Sequence, residues 1–405
     1  MKKLFVYLLL HIIIWQPIIA QKFEGLAKTP PMGWNTWNKF GFNFDEKIIR
    51  DVADAFIKNG LKDAGYEYII LDDGWMSKER DKDGNLVPDP RKFPSGMKAL
   101  GDYIHAKGLK FGIYNCAGTK TCGGYPGGAG YEERDANLYA SWGVDFLKYD
   151  WCNTNKIHAQ TAYATMRDAI KKAGRPMIFS ICEWGLNQPW TWGKDVGHMW
   201  RVTGDIANCW NCSYRFKELS THGILPLLSI RKKDNIRKYA GPGHWNDYDM
   251  LEVGNGMSDS QNRSHFAVWC MLSSPLILGN DLSKMNWETV NILTNKEIID
   301  INKDSLAIES FRYKTLWNID IWARPLKNDE WAICFVNRNG FKMKLQFNWS
   351  KHIIEDEFFN RKLDCSKQVY NLRDLYLHQQ VGTTEANLEK EIGKHDVLLL
   401  KLTKK

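Results

Sequence analysis

Short apolar runs alternate with amphipathic stretches along most of this 405-residue chain. Tyr68-Ile69-Ile70-Leu71 is a run of β-branched and aromatic residues that stops at Asp72, which predicts a buried strand. Leu109 to Tyr114, Val144 to Asp150 and Met177 to Cys182 repeat the pattern. Between them, helical spacing of apolar residues predicts helices over Glu46 to Asn59, Met97 to Lys107, Glu132 to Trp142 and Gln160 to Ala173. Glycine follows each of them (Gly60, Gly108, Gly143, Gly174), as a left-handed helix cap requires. Strand–helix repetition predicts a parallel sheet. At about 35 to 40 residues per unit, residues 30–305 hold roughly eight units, which predicts an α/β fold, the (β/α)8 TIM barrel. A doubly wound open sheet is the competing arrangement, but no G-x-G-x-x-G follows a strand.

After about Ser310 the period changes from 3.6 to two. Ile319 to Ala323, Trp331 to Phe335 and Lys342 to Phe347 alternate, with turn signals at Asn328-Asp329 and Asn339-Gly340. Asp396 to Leu402 supplies a closing strand. Residues 311–405 are therefore expected to form a small C-terminal antiparallel β-sandwich, packed on a barrel of residues 21–310. Residues 1–20 have the plan of an export signal: Lys2-Lys3, an apolar run from Leu4 to Trp15 broken only by His11, then Ile18-Ile19-Ala20. The run is shorter than the ~20 residues of a comfortable membrane span. A secreted or periplasmic protein with no membrane anchor after cleavage is expected.

Removing Lys2 and Lys3 lowers the net charge from +8 to +6, and the remaining basic residues are scattered, which gives little support to nucleic-acid binding. The short run Arg231-Lys232-Lys233 reads as a solvated loop. Eighteen tryptophans are more than a core of this size needs, and sugar rings stack their C–H faces on indole. Nine cysteines in an exported chain permit disulfides and leave at least one thiol over. Cys209-Trp210-Asn211-Cys212 has C-x-x-C spacing without a second such pair or a nearby histidine, so a local disulfide or two thiols is favoured over zinc.

The chemistry concentrates in two aspartate motifs. In Phe146-Leu147-Lys148-Tyr149-Asp150 the strand period puts Lys148 and Asp150 on one face, where the ammonium favours an ionised carboxylate. Arg201-Val202-Thr203-Gly204-Asp205-Ile206 sets a second carboxylate beside a cation. Two carboxylates facing each other across a pocket are what glycosidic cleavage needs. Asp72-Asp73, Tyr114, Asp150 and Glu183 all end predicted strands, and a barrel gathers such ends at one mouth.

Eight segments, in order, resemble glycoside hydrolase family 27, the α-galactosidases and α-N-acetylgalactosaminidases: Pro30 to Trp37, Leu71 to Trp75, Lys120 to Cys122, Lys148 to Cys152, Cys182 to Trp184, Arg201 to Ile206, Trp245 to Leu251 and Asn295 to Asn302. The likeness runs from about residue 28 to 310, with a weaker C-terminal domain. It implies a retaining hydrolase acting through a covalent glycosyl-enzyme, with Asp150 as nucleophile and Asp205 as acid/base. Trp200 and Trp210 would lower the polarity around Asp205, against Arg201. The resemblance further implies sugar contacts by Trp34, Asp72, Asp73, Tyr114, Lys148 and Arg201. It gives Glu183 and Leu186 the reading of the sugar 2-position, in the pattern that admits a hydroxyl rather than an N-acetyl group. For Asp72-Asp73, a helix N-cap after the strand is the plainer alternative.

The same resemblance pairs Cys122 with Cys152, a 30-residue loop whose closure stabilises by roughly 3–4 kcal/mol in the chain-entropy model. Two departures stand out. Gly74 occupies a position where the family often has cysteine, and no cysteine directly precedes Trp200 to pair with Cys182, leaving Cys209 or Cys212 as substitutes. The expected activity is an α-galactosidase without metal or cofactor, acting on a galactose-containing oligosaccharide or polysaccharide. The alternatives are α-N-acetylgalactosaminidase or β-L-arabinopyranosidase activity on the same scaffold, or a non-catalytic galactose-binding protein.

Overall fold

A computed structural model describes residues 22–216, 219–230 and 235–405. The expected export segment and Arg231-Lys232-Lys233 lie outside the described residues. Eight strands form the barrel: β1 (Met32–Asn35), β2 (Tyr68–Ile70), β3 (Lys110–Cys116), β4 (Phe146–Asp150), β5 (Ile178–Cys182), β6 (Met199–Arg201), β7 (Trp245–Asp247) and β8 (Leu276–Leu278). They hydrogen-bond in parallel in the order β7-β6-β5-β4-β3-β2-β1-β8. The seam between the two ends is closed beyond β7, where Leu251 bridges to Leu278. There the Leu251 N–H donates to the Ile277 carbonyl at 2.7 Å, and the Gly279 N–H to the Leu251 carbonyl at 3.1 Å.

Consecutive parallel strands need a covering element between them. Helices Glu46–Lys58, Gly96–Ala106, Glu132–Trp142 and Ala159–Ala173 fall where the periodicity predicts. The first is capped by Asp45, whose side chain accepts the Ile48 N–H at 2.9 Å. Strand packing is tight enough that a Cβ on Gly33 would lie 2.5 Å from the Tyr68 carbonyl oxygen.

The C-terminal domain begins at Phe311. Its main sheet has six strands, in spatial order Phe311–Leu316, Ile319–Pro325, Trp331–Asn337, Val397–Lys404, Tyr370–Asp374 and Gln379–Thr383. An antiparallel pair, Met343–Phe347 with Leu388–Ile392, covers one face. The alternation read from sequence is real, but both faces of the central strands are buried. Ile321, Ile333, Phe335, Leu398 and Leu400 point into the sandwich core. Trp322, Ala332, Cys334, Val336 and Leu399 belong instead to the barrel core. Helix Asp259–Met271 lies between the two domains, which explains why almost its whole surface is buried.

Arg324 ties this layer together. It is 0% exposed, and its Nη1 donates to the Cys270 carbonyl at 2.7 Å and the Met271 carbonyl at 3.3 Å. A cation at the carboxyl end of a helix opposes the negative end of the helix dipole.

Truncating a buried tryptophan removes apolar area and leaves a cavity. Trp322→Ala is expected to lower unfolding stability by about 3–5 kcal/mol in urea titrations. Trp317→Ala, at a ring that is 66% exposed, is expected to stay within about 0.5 kcal/mol.

Candidate active site

All the sequence-predicted sugar and catalytic residues lie at or just beyond the carboxyl ends of β1 to β6. Asp72 and Asp73 follow β2. Asp72 Oδ2 accepts from Asn35 Nδ2 and from Lys148 Nζ, both at 2.7 Å, and Oδ1 accepts the Asp73 N–H at 2.9 Å. Asp73 Oδ2 accepts the Gly123 N–H at 2.7 Å, while its buried Oδ1 has no partner. Burial raises the Asp73 carboxyl to about 6, with the Gly123 N–H opposing and Asp72 adding. No helix starts here; the next begins at Gly96. The pair is therefore no N-cap. Trp34, on β1, is fully buried and donates its indole N–H to the Asn280 carbonyl at 2.7 Å.

Asp150 ends β4. Its Oδ2 accepts from the Tyr114 hydroxyl at 2.9 Å and its Oδ1 from the Trp151 N–H at 2.9 Å. Both donors favour the charged form. Lys148, two residues earlier, sits 5.4 Å from the Tyr114 ring centre but spends its direct contact on Asp72. Lys148 favours the charged form of Asp150 as the sequence implied, but through space, since its ammonium contacts Asp72. Burial dominates and pushes Asp150 up to about 7; Lys148 opposes this, and Asp205 and Asp72 add to it. Burial also works against the charge on Lys148, yet Asp72 and Asp150 hold it protonated.

Asp205 is reached from β6 through a short turn. Its residue pair Asp205–Ile206 joins Leu219–His222 and Ser213–Phe216 in a three-stranded sheet outside the barrel. The side chain is 42% exposed. Loss of solvation raises its carboxyl above the ordinary value, Arg201 opposes, and Asp249 adds. The aromatic residues expected to do this point elsewhere. The Trp200 indole donates to Asn246 Oδ1 at 2.7 Å, and Trp210 stacks on His395 at 5.0 Å.

Arg201 is divided among several acceptors. Nη2 reaches Asp205 Oδ1 at 3.1 Å, Asp249 Oδ2 at 2.9 Å and the Gly204 carbonyl at 2.7 Å. Asp249 Oδ2 also accepts the Ile206 N–H at 2.6 Å. Asp249 therefore grips both the cation beside Asp205 and the backbone next to it, from a residue with φ of +79°. Its neighbour Asp247, at the end of β7, is raised to about 6 by burial against the opposing charge of Arg201. Reading strand ends alone missed Asp247 and Asp249. The Trp245-Asn246-Asp247-Tyr248-Asp249 segment was the available signal, two acids one strand period apart.

Glu183 and Leu186 lie on the turn after β5. Glu183 is buried, and its Oε2 accepts from Asn187 N at 2.5 Å and Asn187 Nδ2 at 2.8 Å. Leu186 is 54% exposed at the rim. Cys122 and Cys152 are bonded at 2.01 Å, with Cys122 Sγ only 3.3 Å from Asp150 Oδ2. The chain is so close there that a Cβ on Gly118 would fall 1.9 Å from the Cys152 carbonyl oxygen. Cys209 and Cys212 bond each other, so neither replaces the missing partner of Cys182, which is a buried thiol. At Gly74 the Phe42 ring fills the space beside the backbone, 2.6 Å from where a Cβ would sit. Among the described residues, no three His, Cys, Asp or Glu side chains converge as metal ligands would.

A (β/α)8 barrel with two carboxylates of raised proton affinity at its strand ends, each beside a cation held by another acid, has the design of a carboxylate-pair glycoside hydrolase. Comparison with known proteins narrows the class. Residues 29–304 match the α-galactosidase A family, and residues 317–402 match the α-galactosidase C-terminal β-sandwich domain. Over 384 residues the chain is 53% identical to α-galactosidase A of Cellvibrio japonicus, covering 95% of this chain and 94% of that one. It superposes on α-galactosidase I of Mortierella vinacea with TM-score 0.86 at 38% identity, covering 94% and 98% of the two chains. Against the Saccharomyces cerevisiae α-galactosidase solved with raffinose, the TM-score is 0.87 at 29% identity, covering 95% and 100%. The chain belongs to the α-galactosidases of glycoside hydrolase family 27.

Asp249→Asn removes a negative charge and releases Arg201 toward Asp205, and both changes lower the Asp205 proton affinity. A carboxyl-selective NMR titration is expected to show its protonation midpoint moving to lower pH.

Proposed function

We infer that this enzyme hydrolyses terminal non-reducing α-D-galactosyl residues by double displacement, with configuration retained. The observation that carries the assignment of roles is the pair Asp150 and Asp205 in the mouth of an α-galactosidase barrel. Asp150 has a donor on each oxygen, which suits a carboxylate that must carry charge. Asp205 is partly exposed and has a raised proton affinity, which suits a proton donor.

In the first step an Asp150 oxygen bonds the anomeric carbon. The C–O bond to the leaving group breaks, its electron pair goes to the glycosidic oxygen, and that oxygen takes the Asp205 proton. In the second step the Asp205 carboxylate takes a proton from water as the water oxygen bonds the anomeric carbon. In the same displacement the bond to Asp150 breaks, its electrons returning to the carboxylate. The unpartnered Asp73 Oδ1 offers an acceptor to a hydroxyl of the sugar, and Lys148 fixes Asp72 beside it. Sugar hydroxyls supply the hydrogen bonds that buried acids lack.

The pair works with one proton. Below the lower of its two macroscopic pKa values both acids are protonated and the nucleophile is lost. Above the upper one both are ionised and the acid is lost, giving a bell-shaped profile. The substrates are galactosides. A galactose-bearing oligosaccharide or polysaccharide met outside the cytoplasm is the setting we propose, supported by the Lys2-Lys3 start, the apolar run that follows and the small Ala20.

Leaving groups separate the two roles. Asp205→Ala is expected to lower kcat/KM on methyl α-galactoside by about 10²–10⁴-fold, and far less on the 2,4-dinitrophenyl α-galactoside, whose leaving oxygen needs no proton. Asp150→Ala is expected to abolish both activities, with azide restoring turnover to the β-galactosyl azide. Equal losses on both substrates for Asp205→Ala would remove it as the acid. At the rim, the double change Glu183→Ser and Leu186→Ala is expected to raise kcat/KM on the α-N-acetylgalactosaminide while lowering it on the galactoside.

A further inference from the structure

Trp287 is the odd tryptophan of this barrel. Its ring is 76% exposed, while Trp34, Trp75, Trp200, Trp245 and Trp269 are fully buried. It begins the helix Trp287–Leu293, which follows the loop after β8 and so opens on the same side of the barrel as the active site. The link to the pocket is short. The Thr289 methyl would lie 2.8 Å from a Cβ on Gly254, and that same Cβ would lie 2.9 Å from Asn280 Nδ2. The Asn280 carbonyl takes the Trp34 indole N–H.

Trp287 stands on one wall of a cleft of about 690 Å³ between the barrel and the C-terminal domain. Leu377 and Lys390 come from the opposite wall, and Asn291 and Lys296 from the barrel side. The charges nearly cancel: Arg263, Lys296 and Lys390 stand against Glu288, Asp374, Glu391 and Asp396, with Arg263 tied to Glu288 at 3.0 Å and Asp396 at 2.8 Å. A strongly anionic polymer would find no basic surface there. An open aromatic face beside amide, ammonium and carboxylate groups of balanced charge matches a neutral polyhydroxylated chain. Its C–H faces stack on indole and its hydroxyls take the polar groups.

We propose that the Trp287 cleft is a second carbohydrate-binding site, which holds the backbone of a galactose-bearing polysaccharide while a side-chain galactose occupies the active site. The proposal rests on the galactoside hydrolase reading of the barrel mouth. It differs from that reading in predicting that polymer and small substrate respond differently to one residue.

The test uses the full chain and a galactomannan. Trp287→Ala is expected to leave kcat/KM on p-nitrophenyl α-galactoside within about twofold of the parent. The rate of galactose release from dilute galactomannan is expected to fall by about fivefold to tenfold, the loss of one aromatic stacking contact. In native gels containing galactomannan, the inactive Asp150→Ala chain is expected to be retarded, and Asp150→Ala with Trp287→Ala to be retarded clearly less. Unchanged polymer rate and unchanged retardation would overturn the site. Equal losses on polymer and small substrate would also overturn it, since they would make Trp287 a support of the barrel. No activity in the parent on either substrate would instead defeat the galactosidase reading itself.

Discussion

Too many acids for too few cations is the constraint on which this mouth depends. Asp72 and Asp150 surround Lys148, Asp205, Asp247 and Asp249 surround Arg201, and Asp73 adjoins Asp72. Charges taken out of water must be paired or neutralised. Here Lys148 is committed to Asp72 and Arg201 is shared with Asp249. The remaining acids bind protons more tightly: Asp73, Asp150, Asp205 and Asp247 are all raised above the ordinary carboxyl value. Asp150 and Asp205 each add to the cost of ionising the site, since the charge of Asp205 raises the Asp150 carboxyl. Hydrogen-bond donors on both Asp150 oxygens favour its charged form against the burial that raises it.

The rest of the molecule serves to hold that arrangement still. The strand ends are fixed by the closed barrel, and the loops above them by the Cys122–Cys152 bond and the crowding at Gly118. Asp205 is not on the barrel proper, so a separate small sheet and the Asp249 grip on Ile206 must position it. The C-terminal domain acts on the outer side. Its central sheet lends alternate residues to the barrel core and covers helix Asp259–Met271, whose end Arg324 caps.

Much of this was legible in the sequence because local chemistry and fold agree. Tyr68 to Ile70 and Ile178 to Cys182 are apolar runs that stop at an acid, and the helices between them end in glycine. The strands Met199–Arg201 and Trp245–Asp247 have three residues each and no apolar run, so their pattern carries no period. Their motifs, rather than their hydrophobicity, mark them. Partners could not be read at all. That Lys148 meets Asp72 across 76 positions rather than Asp150 across two follows from barrel closure, which a one-dimensional pattern does not contain. The double burial of Ile319–Pro325 escaped for the same reason, since its second face is covered by a helix far away in sequence. The C-x-x-C bond, by contrast, needs only neighbours, and it was among the readings that the spacing favoured.

The most direct test of the account is to trap the glycosyl-enzyme with a fluorinated α-galactosyl fluoride that slows the second step. Peptide mapping by mass spectrometry then locates the label. The account predicts a single galactosyl adduct on Asp150, formed at a rate that follows catalytic inactivation. A label on Asp205, on Asp73, or on no residue of a chain that still turns over galactosides would contradict it.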